Sequence, residues 1–102
     1  MPKFRKKPVV IDAFRWQGEE VPGFDRISVG RDELSNEHYN LVIRTLEGTV
    51  YAAEGDWVLK GVAGEFYPCR DDIFRATYEP ADLEAERALK GLNYAPGWFF
   101  DP

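Results

Sequence analysis

The stretch TLEGTVYAAEGDWVLKGVAGEFYPC, residues 45–69, meets a glycine at 48, 55, 61 and 64. That spacing leaves room for short strands and tight turns but not for an ordinary helix. Glycine tolerates the positive φ that such turns require. Residues 39–46 and 49–53 read as two strands joined at Glu47-Gly48. Trp57–Lys60 and Glu65–Cys69 read as a third and a fourth. Gly55 turns the chain into the third strand, and residues 61–64 turn it into the fourth. The segment 41–69 is therefore expected to be a meander. A two-residue loop at Glu47-Gly48 sets Ile43 opposite Ala52; a type I turn closed by a glycine bulge sets it opposite Tyr51. One residue of register exchanges the faces, and the pattern does not choose.

Residues 8–16, PVVIDAFRW, are β-branched and aromatic and read as another strand, with Pro8 at its start. Val9, Ile11 and Ala13 fall on one face; Val10, Phe14 and Trp16 fall on the other. A strand apolar on both faces is expected in the middle of a sheet. Residues 17–38 carry Gly18, Pro22, Gly23 and Gly30 and admit either a helical turn or a strand over Asp25–Val29. Acids at Asp71 and Asp72 suit the positive end of a short helix over residues 71–76, with an extended piece at 77–79. Pro80 to Lys90, closed by Gly91, is the clearest helix pattern. Its face of Ala81, Ala85, Ala88, Leu89 and Leu92 suits close packing on a sheet. The fold class expected is α+β. It consists of a small, curved, mainly antiparallel sheet or partial barrel of about five strands, with a C-terminal helix. All 102 residues form one domain, with the helix 80–92 and an aromatic tail 93–102 appended.

Composition narrows the function. A net charge of -5 disfavours general nucleic-acid binding, because phosphates need a positive surface. The basic cluster Lys3, Arg5, Lys6 and Lys7 is read as a solvated start rather than a phosphate grip. One cysteine excludes an internal disulfide and fits a reducing compartment. No apolar stretch has the length of a signal-peptide core or a membrane span, so a cytoplasmic protein is expected.

Candidate chemistry is sparse. Gly55-Asp56 reads as turn chemistry, with Asp56 accepting turn N–H groups, rather than as a catalytic acid. Glu65, Asp71 and Asp72 fall short of the oxygen ligands a Mg²⁺ or Ca²⁺ site needs. Cys69 and His38 are each the only residue of their kind. A thiol nucleophile would need them in contact with a third orienting group; Cys69 reads better as a small core residue. No catalytic, metal or cofactor site is expected, and the protein is read as a non-enzyme. Trp57, Lys60, Glu65 and Tyr67 are the candidates to line a ligand pocket. In the tail NYAPGWFFDP, Trp98, Phe99 and Phe100 are costly to leave in water, at roughly 1.5–3 kcal/mol for each large side chain. They either fold back on their own core or dock on a partner. A homo-oligomer, most simply a two-fold dimer with the tail at its interface, is the expected assembly.

KFRKKPVVIDAFRW (3–16) and TLEGTVYAAEGDWVLKGVAGEFYPCRDDIFRATYE (45–79) resemble a family of small bacteriophage and prophage proteins. Its pattern has a K-x-R-K-K-P-V start, T-x-E-G, G-D-[YW]-[IV]-[IL]-x-G, G-E-x-Y-P-[CI] and D-I-F-x-x-T-Y-E. The Gly-Asp-aromatic part also resembles the PGDYG domain, with Glu54 in place of its proline. The resemblance covers about half the chain. It implies phage origin and carries no reaction, cofactor or catalytic residue. It fits an accessory protein that binds a host or phage macromolecule. The alternative is a small-ligand, nucleotide-type binder acting as an anti-defence sponge.

Overall fold

The structure is a computed structural model, and it describes residues 1–92. Among the described residues it contains six strands and two helices. The strands are β1 (Asp12–Arg15), β2 (Asp25–Arg31), β3 (Glu37–Thr45), β4 (Gly48–Ala53), β5 (Trp57–Lys60) and β6 (Phe66–Cys69). The helices are α1 (Asp71–Thr77) and α2 (Leu83–Leu89). Every strand pairing is antiparallel, so the fold is α+β with a C-terminal helix. The strands divide between two open three-stranded sheets, ordered β2-β3-β4 and β1-β5-β6.

The sheet β1-β5-β6 is the middle layer. Phe14 and Val58 point from it into one core with Leu41, Ile43 and Ala52 of the other sheet, and Phe66 packs against that core. Trp57 and Leu59 point the opposite way, against Phe74 of α1 and Ala88 of α2, flanked by Ala13, Tyr67 and Leu89. Successive strand residues face opposite sides, so β5 supplies both cores from four consecutive positions. Trp57 stacks on Phe74 with centroids 4.1 Å apart and planes at 13°.

This layering corrects the reading of residues 8–16. Their two-faced apolarity is real, with Ile11 and Ala13 in the helix-side core and Phe14 and Trp16 in the other. The strand is nevertheless at its sheet's edge, paired only with β5. Both faces are covered because layers lie on either side, not because strands lie on either flank. It is also shorter than expected. Asp12 pairs with Lys60, the last residue of β5, and Gly61 then bonds back to Glu65, so residues 8–11 have no backbone partner there.

The expected continuous meander is broken at the same place. β3-β4 and β5-β6 are hairpins, but β4 and β5 belong to different sheets. The crossover is stitched by Trp16: its carbonyl accepts from Gly55 N–H at 2.7 Å and its N–H donates to Asp56 O at 2.9 Å. Gly55 has φ +95°, and the Asp56 carboxylate accepts the Ala53 N–H at 2.9 Å, as the turn reading requires. In the first hairpin Ile43 faces Val50, and neither expected register holds. The connecting residues are Leu46 and Glu47, one step earlier, and Gly48 enters β4 at φ +133°. The open choice over residues 17–38 resolves to strand β2, with a bulge between Ser28 and Gly30.

α2 starts later than Pro80 because Asp82 caps it, accepting the Ala85 N–H at 2.8 Å. Ala85, Ala88 and Leu89 turn inward, whereas Ala81 and Leu92 are exposed. Gly91, at φ +87°, ends the helix: its N–H meets Ala88 O and the Leu92 N–H meets Arg87 O, both at 3.0 Å. This is the Schellman arrangement, which turns the chain off the helix axis.

Candidate binding groove

A groove of about 550 Å³ runs between residues 8–13 and the two helices. Its existence follows from the short β1. Val9 and Val10 leave the sheet without pairing and stand 47% and 79% exposed beside α2. Trp57, Phe74 and Leu89 contribute apolar surface to the groove, while Asp12, Glu79, Asp82 and Glu84 give it acidic charge. A smaller depression of about 340 Å³ adjoins it, sharing Pro8, Val9, Ile11, Thr77 and Tyr78. Lys6, Lys7, Glu65 and Tyr67 line this second part. The Lys6 ammonium lies 3.5 Å from the Tyr78 hydroxyl and 5.4 Å from its ring centre. Burial, and then the hydrogen bond with Tyr78, pushes the Tyr67 phenol up to about 12. It therefore stays a neutral hydroxyl across the physiological range.

The four expected ligand residues do not form one pocket. Trp57 is 2% exposed, meets the larger groove and is chiefly a core residue. Glu65 and Tyr67 line the smaller depression. Lys60 lies on the other face of the sheet, its ammonium 5.8 Å from the Phe66 ring centre. Alternation along β5 forces this split, since residues 57 and 60 differ by an odd number. Trp98, Phe99 and Phe100 lie outside the described residues.

A polar cluster that pattern reading missed surrounds His38. Its Nε2 is 2.9 Å from Asp32 Oδ2, and its Nδ1 is 3.0 Å from Glu54 Oε2. Glu54 also accepts the Tyr39 N–H at 2.8 Å, and Asp32 accepts the N–H groups of Leu34 and Asn36. A carboxylate only accepts, so a ring bonded to one at each nitrogen donates twice and is the imidazolium. The bonds to Asp32 and then Glu54 raise the His38 pKa, and the bond to His38 holds Asp32 down at about 2. With both nitrogens engaged, the ring has no lone pair to act as a base toward Cys69. The Cys69 thiol itself donates to Arg70 O at 3.6 Å, and burial raises its pKa.

Asp71 is a structural anchor. It accepts the Trp57 indole N–H at 2.9 Å and Arg75 Nε at 2.8 Å, with Arg15 3.6 Å away. The Trp57 bond is the main reason its pKa falls, with Arg75 next. Among the described residues no three His, Cys, Asp or Glu side chains stand in a metal-holding arrangement, and no helix is long and apolar enough to cross a membrane. Compared with protein-family models, curated proteins and solved structures, the chain matches none.

Proposed function

We propose that the protein is a non-enzymatic binding module whose groove takes a segment of a protein partner. In this reading it is an accessory protein of the phage or prophage kind its motifs resemble, acting in the host cytoplasm. The observation that carries the reading is the shape and chemistry of the groove. It is lined by the apolar residues Val9, Val10 and Leu89 and by four carboxylates. An apolar strip of this kind suits an extended or helical peptide, whose side chains supply anchors at intervals. The acidic edge favours a partner with lysine or arginine beside those anchors and opposes a phosphate backbone.

The test is a peptide-display selection on the full-length chain and on a full-length form with Trp98, Phe99 and Phe100 changed to alanine. The second form removes aromatics that are able to compete for an apolar groove. Enrichment of apolar-plus-basic peptides, lost when Val10→Asp is added, supports the reading. No enrichment on either form, or enrichment indifferent to Val10→Asp, overturns it.

A second reading draws on the smaller depression, where Lys6 and Lys7 lie beside the Tyr67 and Tyr78 hydroxyls. Two cations and two aromatic rings suit a small anionic aromatic ligand such as a nucleotide. A thermal-shift screen against nucleotides separates the two, because a ligand that binds only the folded state raises its melting temperature.

A further inference from the structure

We propose that the partner segment enters the groove extended and adds a strand to the outer flank of β1. This rests on reading the groove as the site of a protein partner. The backbone directions in the sheet β1-β5-β6 carry it.

Residues of an antiparallel strand turn their N–H and C=O alternately toward one neighbour and the other. Two hydrogen bonds fix the phase. The Trp16 N–H donates to Asp56 O at 2.9 Å, so Trp16 faces β5. Phe14 and Asp12 therefore face β5 as well, opposite Val58 and Lys60. The Gly61 N–H donates to Glu65 O at 2.8 Å, so Leu59 and Trp57 face β6, opposite Tyr67 and Cys69. The two counts agree, since β5 then alternates between its neighbours without a break. Ala13 is left with its N–H and C=O turned outward, away from β5. Among the described residues no group pairs with them. Ala13 also lines the groove, next to Ile11 and Asp12.

The other sheet edges are less open to such pairing. By the same count Pro68 turns outward on β6, and proline has no N–H to give. In the far sheet a bulge between Ser28 and Gly30 interrupts β2, a device that discourages edge pairing.

The groove also selects the occupant. A helical segment satisfies its own backbone and leaves Ala13 to water, whereas an extended one pairs with it. The side chains of an added strand alternate. Every second one turns to the side where Ile11 and Ala13 pack, toward Ala85 and Ala88 of α2. Those alanines are small, so β-branched anchors fit beneath the helix. Residues 8–13 span ~20 Å when extended, which is the length of about six paired residues. Asp12, Glu79, Asp82 and Glu84 line the groove, and none of them joins an ion pair among the described residues. A second copy brings the same four carboxylates and a net charge of -5 to this flank. A segment carrying lysine or arginine beside its anchors neutralises them. The occupant is therefore an apolar, basic strand of another protein.

The probe is the capped peptide Lys-Lys-Val-Thr-Val-Thr-Val-Lys-Lys, added to the ¹⁵N-labelled full-length protein. It is expected to move the amide chemical shifts of Val9, Val10 and Leu89 and to leave Ile27, Val42 and Tyr51 on the far sheet unchanged. At saturation it is expected to slow hydrogen exchange of the Ala13 amide at least ~10-fold. Two isomers of the peptide carry N-methyl groups, one on its valines and one on its threonines. In an added strand one set of N–H groups faces β1 and the other faces solvent. One isomer is therefore expected to bind at least ~10-fold more weakly than the other. Equal affinity of the two isomers, unchanged exchange at Ala13, or no binding of the unmodified peptide overturns the proposal. So do groove shifts of the peptide-free protein that depend on its concentration, which place a second copy on this flank. If display peptides need Val10 but leave Ala13 exchange unchanged, the added strand falls and the partner reading stands. If the display selection fails while the isomers differ and Ala13 is protected, the partner reading falls and the open flank stands.

Discussion

Trp57→Phe tests how the middle sheet is joined to the helices. Trp57 is buried, stacks on Phe74 and donates its indole N–H to Asp71 at 2.9 Å. Phenylalanine preserves the stacking partner and removes the donor. A hydrogen bond to a charged group contributes about 1.5–3 kcal/mol. Asp71 is one-third exposed, with Arg75 and Arg15 beside it, so water and those arginines recover part of the loss. About 1–2 kcal/mol remains from the bond. The missing ring adds about 1–2 kcal/mol for a void that the core closes only in part. The total is about 2–4 kcal/mol, from a domain whose whole stability is of order 5–15 kcal/mol. For a chain of this length that lowers Tm by roughly 10–20 °C. Thermal unfolding followed by far-UV circular dichroism at pH 7 measures it. Asp71→Ala completes a double-mutant cycle, with an expected coupling of about 1 kcal/mol or more. The Asp71 pKa is lowered in the fold, so the contribution of the pair is present above the unfolded value near 3.8 and is lost as pH falls through the folded one. The penalty of Trp57→Phe therefore holds from neutral pH to about pH 4 and shrinks below it. A Tm change within about 3 °C at pH 7, or strictly additive variants, refutes the anchoring role.

Gly55→Ala places at φ +95° a Cβ that meets Arg15 Nη2 at an ordinary contact of 3.7 Å, so the cost is conformational, about 1–3 kcal/mol; an unchanged Tm counts against the turn. His38 has a raised pKa, so its contribution is complete below the unfolded value of 6.5 and is lost as pH rises through the folded one. The Tm difference between parent and His38→Gln is expected to narrow from pH 6 to pH 9, and a constant difference refutes the imidazolium clasp. Gly18→Ala directs a Cβ to within 3.0 Å of the Glu54 carboxyl carbon at φ +98°, and imidazole titration by NMR should show the His38 pKa falling toward 6.5. Duplex DNA of generic sequence is expected to give no salt-sensitive gel shift at physiological ionic strength, given the net charge of -5; a shift that weakens steeply with salt makes Lys6 and Lys7 the residues to change.

Local chemistry was readable from the residues wherever the deciding neighbours are close in sequence. β5 begins at Trp57 and ends at Lys60 as read, because Gly55 and Gly61 bracket it. The acids at the start of α1 and the turn role of Gly55 have the same character. The division into two sheets was not readable. A three-residue link between β4 and β5 looks like one more hairpin turn. What separates the strands is Trp16, whose backbone takes up the groups of Gly55 and Asp56 from some forty positions away. Hydrophobic pattern reports which faces are covered and is silent on which strands pair. β1 shows the consequence, since an edge strand in a middle layer carries the same two-faced pattern as a central strand.

The site was hidden for a related reason. Val9 and Val10 have the residue types of a strand, and their role as groove wall depends on β5 ending opposite Asp12, a fact about the partner strand. The His38 cluster likewise joins turns that meet only after the hairpins form: Asp32 is six positions away and Glu54 sixteen. The groove is lined by Trp57, Phe74 and Leu89 of the helix-side core, whereas Glu54 of the clasp accepts the N–H of Tyr39, which packs against the other core. A change that opens the clasp should therefore leave the groove intact, and the shift comparison at Val9, Val10 and Leu89 in His38→Gln tests that independence. Coupled changes at both places would mean that the two faces of β1-β5-β6 move as one.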